Sequence, residues 1–78
     1  MNMYQRNSLN KAIEERTKEV LDAFARSPTA FSTTVQTVVL RHILLKTEGK
    51  VLAEGCFWNI KTKSLGAGVY RIYLEKEE

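Results

Sequence analysis

The chain has almost none of the residues that staple small proteins together. Its one cysteine, Cys56, has no partner for an internal disulfide, and its one histidine, His42, cannot build a metal cage with a lone thiol. No metal and no cofactor are expected. The longest apolar clusters, Val38 to Leu40 and Ile43 to Leu45, fall far short of the roughly 20 residues that span a bilayer. The opening Met-Asn-Met-Tyr-Gln-Arg-Asn-Ser has no apolar run behind a basic stretch, which argues against a signal peptide. With an unpaired thiol, the expected compartment is the cytoplasm, and no membrane association is expected. A surplus of one charge is also missing. The net +3 is spread as five basic against four acidic residues over 1–26, three against two over 27–60, and four against three over 61–78. A nucleic-acid binder normally gathers its cations on one face.

What remains is a single domain, 1–78, of α+β class. A chain this short buries only about 60% of the surface its unfolded form exposes. Without a disulfide or a metal, a partner subunit is the remaining source of stability. From about Ser8 to Arg26, Leu9, Ile13, Val20 and Phe24 form one stripe of a helix, widened by Thr17 and Leu21. Lys11, Glu14, Glu15, Lys18, Asp22 and Arg26 occupy the other side as i,i+4 pairs of opposite charge. Pro28 ends the helix by pushing Ser27 out of the α region.

Seven β-branched residues between Thr33 and Ile43 favour a strand over about 32–46, although Phe31, Val35, Val38, Val39, His42 and Ile43 also fit a helical stripe. Strands are expected over about 32–46, 50–60 and 69–75. Glu48-Gly49 is read as the first turn, which sets Leu45 opposite Leu52 and Val39 opposite Trp58. The third strand alternates, with Tyr70, Ile72 and Leu74 on one side and Val69, Arg71 and Tyr73 on the other, and Ile60 is set opposite Tyr70. The expected architecture is therefore an N-terminal amphipathic helix packed on a three-stranded antiparallel meander. The helix stripe covers the face bearing Val35, Val39, Ile43, Leu45, Trp58 and Ile72.

The opposite face then gathers Val38, Leu40, Leu44 and Phe57, with Tyr73 at its edge, where a half-buried sheet normally shows polar residues. An open apolar patch of that size marks an interface. Residues 61–68 read as a long connection, with Lys61 and Lys63 as exposed cations and Leu65 as a lone apolar residue at the tip. Trp58 and Tyr70 read as core aromatics.

Gly55-Cys56-Phe57-Trp58 resembles the nucleophile motif of A-type peptide methionine sulfoxide reductases. That resemblance implies a Cys56 thiolate attacking the sulfoxide sulfur, with the aromatic pair forming the methyl pocket. It covers four residues; Glu54 stands where the family has a second glycine, and Asn59-Ile60 does not supply the family's glutamate. Read from its own surroundings, Cys56 is a core residue in mid-strand. Gly66-Ala67-Gly68 is followed by a strand signal rather than a helix, so it is a loop and not a phosphate cradle. The segment from Val38 to Gly55 is similar to a hairpin of chorismate-lyase-like ligand-sensing domains, which are much longer chains.

These residues lead to a non-enzymatic protein-binding module, a regulator or inhibitor of the kind phages and mobile elements encode. It would act through Val38, Leu40, Leu44, Phe57, Tyr73, Lys61, Lys63 and Leu65, on another protein or on a second copy in a homodimer. The alternative is a winged-helix-like nucleic-acid binder, with 33–46 as recognition helix, 51–74 as wing, and Arg41, Lys46, Lys61 and Lys63 on phosphates. A thiol enzyme using Cys56 is the third reading.

Overall fold

A computed structural model describes residues 3–77, and the side chains of 8–77; residues 1, 2 and 78 of the expected domain lie outside the described residues. The element order is α1 (Met3–Arg26), β1 (Ser32–Gln36), α2 (Thr37–Thr47), β2 (Lys50–Ala53), β3 (Cys56–Gly66) and β4 (Val69–Lys76). The strands form one antiparallel sheet in the order β1-β4-β3-β2. The class is α+β as expected, with a second helix and a fourth strand that the sequence reading did not place.

The first helix starts at Met3, five residues before the expected start near Ser8, and its stripe is buried only in the second half, Leu9 staying exposed. Thr17, Val20 and Phe24 are fully buried, and the Thr17 hydroxyl donates to the Ile13 carbonyl at 2.8 Å, so a polar group enters the core satisfied. Pro28 stops the helix and is itself buried. The Ser27 carbonyl accepts the N–H groups of Ala30 and Phe31 at 3.2 and 2.9 Å. This tight return sets the Phe31 ring edge-on against Phe24, with centroids 5.1 Å apart.

Residues 37–47 correct the expected strand over 32–46. The chain is extended only through Gln36; then the Thr37 N–H and hydroxyl both donate to the Gly68 carbonyl, at 3.0 and 3.1 Å, and the helix begins. Five β-branched residues disfavour α2 by roughly 0.5 kcal/mol each relative to alanine. Burial of Val39, Leu40 and Ile43 on one helical side returns about 1.5–3 kcal/mol apiece, and wins. An extended chain would have pointed Leu40 away from the other two.

The turns move with it. Glu48, in the left-handed region at φ 55, caps α2 by donating its N–H to the Leu44 carbonyl at 2.8 Å, so Glu48-Gly49 ends a helix rather than making a hairpin. The first hairpin turns instead at Glu54-Gly55, both with positive φ, which pairs Ala53 with Cys56 and Val51 with Trp58. The expected 61–68 connection is also replaced. β3 runs on to Gly66, and the two residues Ala67-Gly68 make the turn. Ile60 accordingly faces Leu74, not Tyr70, which lies opposite Ser64.

The core lies between the helices and one sheet face. Val20 and Phe24 of α1 and Val39, Leu40 and Ile43 of α2 cluster with Val35, Val51, Ala53, Trp58, Ile72 and Leu74. Trp58 and Tyr70 belong to it or pack against it, as expected, and the Trp58 indole N–H donates to the Ala53 carbonyl at 2.9 Å. Arg16 ties α1 to β1 through its Nη2, which donates to Thr33 Oγ1 at 3.0 Å and to the Thr34 carbonyl at 3.3 Å.

Candidate functional site

Both helices lie on the same side, which leaves the other sheet face open. Strand register places its residues in rows. Arg71 lies between Thr34 and Lys63, and Tyr73 between Ser32 and Lys61. Asn59 lies between Glu75 and Lys50, and Phe57 beside Leu52. The apolar members are well exposed: Leu52 at 61%, Phe57 at 54% and Tyr73 at 40%. Leu65 adds an exposed side chain close to the turn.

Charge on this face is uneven. At the β2 end Lys50 Nζ meets Glu77 Oε1 at 2.9 Å. Lys61, Lys63 and Arg71 flank Tyr73 on its β3 and turn sides, with Glu75 next along β4 on the other side, and among the described residues none of the three cations has a carboxylate within 4 Å. Lys63 and Arg71 are direct cross-strand partners, an arrangement of like charges that disfavours the pairing.

The eight residues singled out in the sequence thus separate. Phe57, Tyr73, Lys61 and Lys63 share the open sheet face, and Leu65 stands at its far end. Leu40 is buried in the core, while Val38 and Leu44 are exposed on α2, on the other side of the sheet. Coiling of 37–47 is the reason: it turns the residues of one expected sheet face onto different sides of a helix. Arg41 and Lys46 ride on α2, the helix that the alternative reading expected within 33–46, while Lys61 and Lys63 lie on the open sheet face. Leu52, expected beneath the helix opposite Leu45, lies instead on the open face beside Phe57, because the hairpin turns at Glu54-Gly55; Arg71 also belongs to this face and was not singled out.

A second uncovered region follows the seam between α1 and α2. Residues 8–12 of α1 are all exposed, and Leu9, Ile13 and Val38 border a groove of about 350 Å³ that reaches β1. Leu45, 80% exposed, lies further along the seam beside His42, whose Nε2 is buried without a hydrogen-bond partner among the described residues. Cys56 sits half-buried beside the Glu54-Gly55 turn, and no group of three or more His, Cys, Asp or Glu residues among the described ones is placed to hold a metal ion.

Comparison with known proteins gives no match: no family model, no curated protein and no solved structure matches this chain. Among the described residues no helix is long and apolar enough to cross a membrane.

Proposed function

We propose that this protein is a non-enzymatic binding module that works by laying the open face of its sheet on another macromolecule. It acts in the cytoplasm as a regulator or inhibitor. One observation carries the reading: a sheet covered by helices on one side exposes Leu52, Phe57 and Tyr73 on the other. Half-covered antiparallel sheets ordinarily turn polar residues to water. Exposed aromatic rings flanked by cations are the residue types that anchor interfaces. The partner is acidic, because the uncompensated charge of that face is positive.

Footprinting by amide hydrogen exchange tests the proposal, comparing the protein in buffer with the protein in an extract of its source cells. Slowed exchange confined to β3 and β4 is the expected result. Protection confined to the α1–α2 side, or none at all, defeats the reading.

The exposed seam of Leu9, Val38 and Leu45 supports a second reading, in which two copies associate through their helices and leave the sheet faces free. Light scattering across a concentration series tests it. A dimer that Leu45→Glu dissociates is the expected result, and a monomer at every concentration removes it.

A further inference from the structure

The proposed docking face carries a feature that folding does not ask for. Lysines on an exposed strand edge keep sheets from pairing edge to edge. That role accounts for Lys61 and Lys63, because β2 pairs only with residues 56–59 and leaves the rest of β3 open on that side. It does not account for Arg71. β4 lies between β1 and β3, has no free edge at that point, and sets Arg71 directly opposite Lys63. A carboxylate at position 71 would serve the sheet better. Three cations therefore stand on the turn side of one half-exposed phenol ring, against the single acid Glu75 on its other side, on a face with no covering element.

We propose that the outer face of the β3–β4 hairpin binds single-stranded nucleic acid, with a base stacked on Tyr73 and phosphates held by Lys61, Lys63 and Arg71. The inference rests on the reading of this face as the docking surface and names its occupant. Charge complementarity selects a polyanion, and the aromatic ring selects one that carries flat faces. Surfaces for single strands combine these two elements: cations that track the backbone and rings on which unpaired bases stack. Lys61 and Lys63 point the same way two residues apart on one strand, about 7 Å, so a backbone running along β3 meets them in succession. Phe57, four residues from Lys61 on the same face, offers a second ring about 13 Å further along. The hydroxyls of Ser32 and Thr34 complete the rows on the β1 side as neutral donors. A duplex keeps its bases stacked on each other and offers Tyr73 nothing to stack on.

Fluorescence anisotropy of a labelled oligothymidylate against the whole protein is the test. Three phosphate contacts predict a log–log salt slope of about −2, since each contributes roughly −0.7 on a single strand. Tyr73→Ala should weaken binding at least about fivefold, the lower end for loss of one stacked base, while Tyr73→Phe keeps it. Lys63→Glu should abolish binding in a folded protein, because it places a carboxylate opposite Arg71; circular dichroism of each variant verifies the fold. No binding at low salt overturns the proposal. So does equal affinity for a duplex, or Tyr73→Ala losing no more affinity for the oligonucleotide than for heparin, a polyanion without bases. Sheet-face protection in cell extract that survives nuclease treatment also overturns it, yet leaves the docking face itself standing with a protein partner.

Discussion

Ile43 and Leu45 decide between a coiled and an extended chain at residues 37–47. In a strand they share one face; in α2 they lie about 200° apart around the axis. Ile43 is fully buried against the α1 and sheet side chains, whereas Leu45 is 80% exposed. Truncating a buried isoleucine to alanine costs about 2–5 kcal/mol, and better helix propensity returns about 0.5 kcal/mol, so Ile43→Ala should destabilise the fold by about 3 kcal/mol. At about 0.05–0.15 kcal/mol per residue the whole domain has only about 4–12 kcal/mol to lose. Ile43→Val, costing about 1 kcal/mol, is therefore the companion that stays folded. Leu45→Ala should fall within about 0.5 kcal/mol of the parent. Urea titrations can follow Trp58, the sole tryptophan, which is buried and whose environment changes on unfolding. With a slope near 1 kcal/mol per molar, Ile43→Ala moves the midpoint down by about 3 M, and Leu45→Ala hardly moves it. Equal losses from Ile43→Ala and Leu45→Ala would return these residues to one face of a strand and remove α2.

Three further substitutions probe single contacts. Gly68 holds φ +74 and an added Cβ would lie 3.4 Å from Thr37 Oγ1, so Gly68→Ala should lower stability by about 1–2 kcal/mol in thermal melts. Trp58→Phe leaves the buried Ala53 carbonyl without its indole donor and should cost about 1–3 kcal/mol by the same urea assay. His42→Leu removes a buried nitrogen that has no partner among the described residues, and a gain of about 1 kcal/mol is expected; a loss would mean the imidazole is satisfied in solution.

Elements built on local periodicity were legible in the sequence. The stripe through Val20 and Phe24 and the stop at Pro28 mark the second half of α1, though not its start at Met3, and alternation of Tyr70, Ile72 and Leu74 defines the buried side of β4. Residues 32–47 were not, because two correct rules apply to different halves. β-branched Thr33 to Val35 form the strand, while Arg41, Leu44 and Lys46 are good helix formers. The switch between them is set by the Gly68 carbonyl, 31 residues away along the chain, which takes the Thr37 N–H and hydroxyl. A local window contains no trace of that bond. Two Glu-Gly dipeptides pose a similar ambiguity: both adopt positive φ, yet one ends a helix and the other turns a hairpin. On the open face, Phe57, Tyr73, Lys61 and Lys63 stood out as residues, but the importance of Arg71 appears only with the register that sets it against Lys63.

The same face shows what the fold does where stability alone governs charge. Lys50 reaches across to Glu77, 27 residues away, and the two cancel beside Phe57 and Leu52. A few residues along the hairpin no such cancellation occurs at Lys61, Lys63 and Arg71, so the surface grades from slightly acidic near β2, where Glu75 and Glu77 stand against Lys50, to positive near the Ala67-Gly68 turn. If an extended anion lies along β3, its grip is set at the positive end and fades toward Phe57. Glu77→Gln removes one of the two acids at that end, leaving Glu75, and frees Lys50 to meet a phosphate beside the second aromatic ring. As an exposed pair, Lys50–Glu77 contributes no more than about 1 kcal/mol to folding, so the variant remains folded. Its oligonucleotide affinity should rise, and the salt slope should steepen by about 0.7 as one more phosphate is engaged. An unchanged slope would confine the contact to the Tyr73 end and refute a strand path that extends to Phe57.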